Sequence, residues 1–97
     1  MSLLNFEEPV VYKLANGIQV RKESWGLLFY SQNQHRLFFV KSGDWLYPQH
    51  FEGGWSFEKL AADIVSRIRK PANLVGPALQ KSIDSLVKNG MVTHGLC

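Results

Sequence analysis

The chain has 97 residues, 11 Lys and Arg against 8 Asp and Glu, a formal net charge of +3 and 45% apolar content. That is room for one domain with one core in an ordinary soluble composition. A single cysteine, Cys97, excludes a disulfide framework, a CxxC pair or a zinc quartet within one chain, and no apolar run approaches the ~20 residues that span a bilayer.

Residues 1–97 read as a single domain: an arm over 1–9, an antiparallel sheet over 10–41 and a helical part over 42–93. Met1–Glu8 has neither the positive region nor the cleavage pattern expected of a secretory signal, and the single cysteine is consistent with a reducing, cytoplasmic setting. Val10–Leu14 reads as a short strand. Asn16-Gly17 is the strongest short hairpin signal, because both residues tolerate positive φ. Ile18–Lys22 alternates, with Ile18 and Val20 on one face and Gln19 and Arg21 on the other. A bend at Ser24-Trp25-Gly26 leads into a second hairpin, Gly26–Tyr30 and Arg36–Lys41, joined by the polar loop Ser31–His35. Both of its arms are apolar on both faces: Leu37 and Phe39 point one way, Phe38 and Val40 the other. An ordinary half-exposed strand alternates apolar with polar, so something must cover each face. Helices later in the chain supply one cover. The N-terminal segment, a second copy or a partner must supply the other.

Ser42 is expected to cap a short helix through Trp45, Leu46 and Tyr47, stopped by Pro48. Ser56 caps the next, Ser56–Lys70, whose Phe57, Leu60, Ala61, Ile64, Val65 and Ile68 form one apolar face. The last helix, Leu74–Asn89, buries Leu79, Ile83, Leu86 and Val87 as an inner stripe. Gly90 ends it as a left-handed cap, with Met91 packing back, and a short tail follows. Strands before helices argue for α+β.

Catalytic signals are scarce. His35, His50 and His94 have no partner at ligand spacing, so each reads as a surface histidine and no metal or cofactor is expected. Asp44 and Glu52 flank Trp45, Tyr47 and Phe51, but capping and solvation account for them more simply than acid–base work. The expectation is a protein that is not an enzyme. Two binding signals remain. Arg36–Lys41 has no proline and no inward charge to blunt an edge, so as an edge strand it offers free amides and carbonyls to an extended peptide, or to a second copy across a two-fold axis as a homodimer; the same pattern equally suits an internal or self-covered strand, which offers none. The helix pair after three strands also permits a winged-helix nucleic-acid binder. Its reading face would carry Gln80, Lys81, Asp84, Ser85 and Lys88, too few cations to favour phosphate contact, despite an overall pI of about 9.2.

The stretch Val20–Tyr30 followed by Arg36–Ser42 resembles the mycofactocin-system peptide chaperones, within the PqqD-like group of precursor-peptide recognition domains. Arg21, Glu23, Gly26, Leu28 and Tyr30 match the first part of the motif, with Trp25 replacing a Phe. Arg36, Leu37, Phe39 and Ser42 match the second, and the closing helix followed by Gly90-Met91-Val92 is also similar. Pro48 and Gly53-Gly54 make the first helix shorter or more irregular than the family pattern.

The resemblance implies a winged-helix-like fold, an N-terminal antiparallel sheet of three to four strands followed by three helices. It implies binding of a precursor's leader by strand addition, and presentation to a radical S-adenosylmethionine enzyme. Carried onto this chain, the peptide site is Arg36, Leu37, Phe38, Phe39, Val40 and Lys41, with Leu79, Ile83, Leu86 and Val87 of the last helix.

Overall fold

Val10–Leu14 forms β1, Ile18–Glu23 β2, Gly26–Ser31 β3 and Arg36–Val40 β4. A 3₁₀ turn, Pro48–Phe51, and a two-residue β5, Trp55–Ser56, precede the helices α1, Phe57–Ile68, and α2, Ala72–Lys88, and the final strand β6, Val92–Leu96. The computed structural model describes residues 10–96; the arm expected at 1–9 and Cys97 lie outside them.

The strands divide into two antiparallel three-stranded sheets, β5-β1-β6 and β2-β3-β4. The single N-terminal sheet expected from the sequence is therefore not formed. Both edges of β1 are occupied, one by β5 and the other by β6 along its whole length, Val10 opposite Leu96 to Leu14 opposite Val92. No edge of β1 is left for β2. Asn16-Gly17 still turns, with Gly17 at φ 79° and the Ile18 amide donating to the Ala15 carbonyl at 3.2 Å, but it is a corner between sheets. Ala15 stays tied to Met91 and Gly17 to Gln32.

The second sheet is formed by the local hairpins that the sequence predicts, with β3 central. Gly26 is required where β3 begins. Its φ is +149°, and a Cβ there would lie 1.9 Å from the Val40 carbonyl oxygen.

Among the described residues there are two α-helices, not three. The segment expected as a helix at 42–47 makes one turn, Trp45 N–H to the Ser42 carbonyl at 2.9 Å. Gly43 then takes a left-handed φ of 54°, and Pro48 holds Tyr47 extended at φ −133°, ψ 157°. The helix character moves to the turn after the proline, whose fixed φ suits a first helical position.

Ser56 caps α1 as expected, its Oγ accepting from the Lys59 amide at 3.2 Å. The helix stops at Ile68 because Arg69 turns left-handed. α2 starts earlier than expected, at Ala72 after Pro71, and carries Pro77 within its second turn. It ends in a Schellman motif: Met91 N–H to the Leu86 carbonyl at 2.9 Å and Gly90 N–H to the Val87 carbonyl at 3.1 Å. That reversal launches β6, which the sequence suggested only as a tail.

One core joins all of this. Leu27 and Phe29 of β3, Leu46 before the 3₁₀ turn and Phe51 within it, Leu60 and Ile64 of α1, Val75, Leu79, Ile83 and Leu86 of α2, and Met91 and Val92 are fully buried. The stripes that the sequence assigns to the two helices meet each other and one face of the second sheet.

Candidate functional site: an open strand edge beside the last helix

β4 pairs with β3 on one side only. Among the described residues no strand pairs with its outer edge, so the backbone groups directed there have no sheet partner. An unblunted edge of this kind is a template for another extended chain.

The two faces of β4 differ. Val40 is buried and Phe38 half-buried, both packed on the core. Leu37 and Phe39 point the other way and are 55% and 56% exposed. Phe39 lies under Trp25, ring centroids 5.5 Å apart and planes within 15°. The cover that the sequence demands for this second face is absent among the described residues, apart from Trp25 and the half-buried neighbours Leu28 and Tyr30.

α2 runs beside the edge. A groove of about 240 Å³ lies between them, lined by Phe38, Phe39, Val40, Lys41, Lys81, Ser82 and Ser85. It adjoins a wider one of about 600 Å³, which shares Lys41 and Ser82 and adds Ser42, Gly43, Asp44, Trp45, Ile68 and Ala78. The side-chain oxygen of Ser42 is buried there without a hydrogen-bond partner among the described residues. At the start of β4, Arg36 reaches across to the Asn89 carbonyl at 3.5 Å, at the C-terminal end of α2.

The structure places the helical half of the sequence-derived site away from the groove. Leu79, Ile83 and Leu86 are at most 1% exposed and belong to the core. Val87 and Ile83 border a different hollow, shared with Val10 and Tyr12 of β1 and His94 of β6. Periodicity identified residues sharing a face, but that face meets the sheets. The α2 residues at the groove are Ala78, Lys81, Ser82 and Ser85. Of the strand residues, Phe38, Phe39, Val40 and Lys41 line it. Leu37 faces a hollow of about 790 Å³ on the outer side, with Leu28 and Tyr30.

A polar cluster that the sequence did not reveal fixes the groove's wall. His50, expected at the surface, is 2% exposed. Its Nδ1 accepts the Tyr47 amide at 2.9 Å, so the proton sits on Nε2, which donates to Asp63 Oδ2 at 2.9 Å. Asp63 also accepts from Arg67 Nε at 2.8 Å. Arg67 then donates to the Asp44 carbonyl at 2.7 Å and the Trp45 carbonyl at 2.6 Å. Arg67, in the last turn of α1, thus clamps the loop bordering the groove.

Burial pushes the His50 pKa below its ordinary 6.5, outweighing the stabilising Asp63 carboxylate, and the Arg67 charge adds to the depression. Burial would raise Asp63, but the hydrogen bonds from Arg67 and His50 prevail and hold it below its ordinary 3.8. The one signal for this cluster was the i, i+4 spacing of Asp63 and Arg67.

No family model matches the sequence, and no curated protein matches it either. Among solved structures the fold finds a counterpart with a TM-score of 0.68, covering 84% of this chain and 96% of the other at 18% identity. The fold is similar to that of lasso peptide synthetase B1. Lasso peptide synthetase B1 was solved complexed with the leader peptide. At this identity the likeness to lasso peptide synthetase B1 is one of fold.

As for a nucleic-acid surface, the exposed face of α2 holds Asp84 among its lysines, bonded to Gln80 Nε2 at 2.8 Å. That carboxylate would oppose a phosphate backbone.

Proposed function

We propose that this protein binds the leader segment of a ribosomally synthesised precursor peptide as an added strand on β4. It then presents the peptide to the enzyme that modifies it. The observation that carries the reading is the unpaired edge of β4 with a groove beside it, in a fold similar to that of a protein solved with a leader peptide. The chain contributes recognition, and the chemistry belongs to its partner, so no catalytic residue is assigned.

The energetics fit a transient carrier. Burying one Phe or Leu of a leader contributes roughly 1.5–3 kcal/mol. Two or three such anchors with main-chain pairing, less the cost of ordering a flexible peptide, give about 8 kcal/mol, or micromolar affinity. Lys41 and Lys81 at the groove favour acidic residues in the leader and speed encounter.

The finer reading follows the hairpin motif from Arg21 to Ser42. It makes the partner a radical S-adenosylmethionine enzyme in a mycofactocin-like, peptide-derived cofactor pathway in the cytoplasm. The test is a titration with the leader of a short precursor encoded beside this chain's gene. Micromolar binding that shifts the amides of residues 36–41 is expected. Binding that leaves those amides unmoved refutes the site, and acceleration of a different enzyme class with the same leader refutes the pathway. A mass measurement without peptide tests whether a second copy uses the edge instead.

A further inference from the structure

We infer that the leader's main anchor is the outer sheet face at Trp25, Leu37 and Phe39, and that the site selects a two-faced strand. Its aromatic or branched side chains lie on that face, and its acidic or small ones point toward α2. The inference rests on strand addition at β4, the function proposed above.

An added strand continues the pleat of the sheet, so its side chains alternate between the two sides of β4. Those two sides differ in chemistry. Toward α2 the space is about 240 Å³, with Lys81, Ser82 and Ser85 as its helical wall and Phe38, Phe39 and Val40 along the strand. Lys41 borders the same space, and among the described residues neither Lys41 nor Lys81 takes part in an ion pair. A carboxylate or a small residue fits there, beside two exposed lysine ammonium groups.

On the opposite side Phe39 and Leu37 are more than half exposed, and Trp25 is 37% exposed. Phe39 and Trp25 are already stacked, so the aromatic surface is preorganised and little ordering remains to be done on binding. Side chains of an added strand sit within reach of their cross-strand neighbours, so every second leader residue is placed alongside Leu37 or Phe39. The apolar residues that a leader brings therefore gain most on the outer face, and its acids gain most in the groove.

The test uses two blocked peptides of about eight residues, long enough to pair all of β4. They have the same composition of Phe, Leu, Glu and Ser. One alternates apolar with polar residues, and the other holds its apolar residues in one block. Calorimetric titration at low salt is expected to give at least about tenfold tighter binding of the alternating peptide, with shifts at the amides of 36–40. Phe39→Ser, at a surface position that leaves the core untouched, should cost that peptide about tenfold and bring it level with the block peptide. Lys81→Glu should weaken it too. Equal affinities with shifts at 36–40, or indifference to Phe39→Ser, overturn the two-faced anchor and leave strand addition standing. Absence of shifts at 36–40 with either peptide removes strand addition, and this inference with it.

Discussion

Replacing Arg67 with methionine keeps an aliphatic stem and removes every donor of the clamp on the groove wall. Three hydrogen bonds vanish, to Asp63 at 2.8 Å, the Asp44 carbonyl at 2.7 Å and the Trp45 carbonyl at 2.6 Å. The guanidinium's position 5.1 Å from the Tyr47 ring centre is lost as well. A hydrogen bond to a charged group contributes roughly 1.5–3 kcal/mol net. The Arg67 side chain is 31% exposed, and water can take over the freed carbonyls, so about 1 kcal/mol for each carbonyl is the fitting share. The i, i+4 ion pair adds about 0.4 kcal/mol, and the cation–π contact about 0.5 kcal/mol. The expected loss is about 3 kcal/mol, a fall in Tm of about 15 °C for a domain of this size. Urea unfolding should show the midpoint falling at unchanged slope, and the amide signals of residues 44–51 should move in the folded variant. A loss below about 0.5 kcal/mol would mean that the clamp is an exposed ion pair of no structural weight.

Gly26→Ala should be severely destabilising, because its Cβ would meet the Val40 carbonyl oxygen at 1.9 Å and the Ser42 nitrogen at 2.6 Å at a φ of +149°; failure to recover folded protein, or collapse of the β3–β4 amide signals, is the expected result. Leu79→Ala should cost about 2–5 kcal/mol in denaturant unfolding as a buried cavity, while leader affinity of the fraction still folded stays unchanged, because Leu79 belongs to the core and not to the groove. Stability should also fall in mild acid. His50 is depressed below 6.5 by burial, so near and below that pH the unfolded chain binds a proton that the folded chain refuses, and the stability present above pH 6.5 is lost as pH drops. Asp63, held below 3.8, withdraws its own share at still lower pH. His50→Gln should flatten the first of these slopes in unfolding curves measured between pH 7 and pH 5.

Local chemistry was legible in the sequence where it decided the outcome. The hairpins of β2, β3 and β4, the Ser56 cap and the Gly90-Met91 reversal each depend on residues close together in the chain. The pairing of β1 with β6 does not: Val10 finds Leu96 only after both helices have folded back, and the Asn16-Gly17 signal pointed to the nearer, wrong neighbour. The helix expected at 42–47 was cancelled by Gly43 and Pro48, whose backbone demands outweighed a cap at Ser42. The open edge of β4 was one of two readings of an apolar strand without blunting residues, since the same pattern suits a strand inside a sheet. The α2 wall was not, because a stripe such as Leu79, Ile83 and Leu86 shows that a helix buries one face but not what it buries that face against. His50 lacked any periodic companion, and its burial depends on Asp63 and Arg67 arriving from α1.

Amide hydrogen exchange of β4, with and without a leader peptide, tests the central claim most directly. The account predicts that outward-directed amides within residues 36–40 exchange quickly in the free protein and become protected when the peptide adds as a strand. Protection that is already complete without peptide, or a bound peptide that leaves those amides exchanging as before, would contradict it.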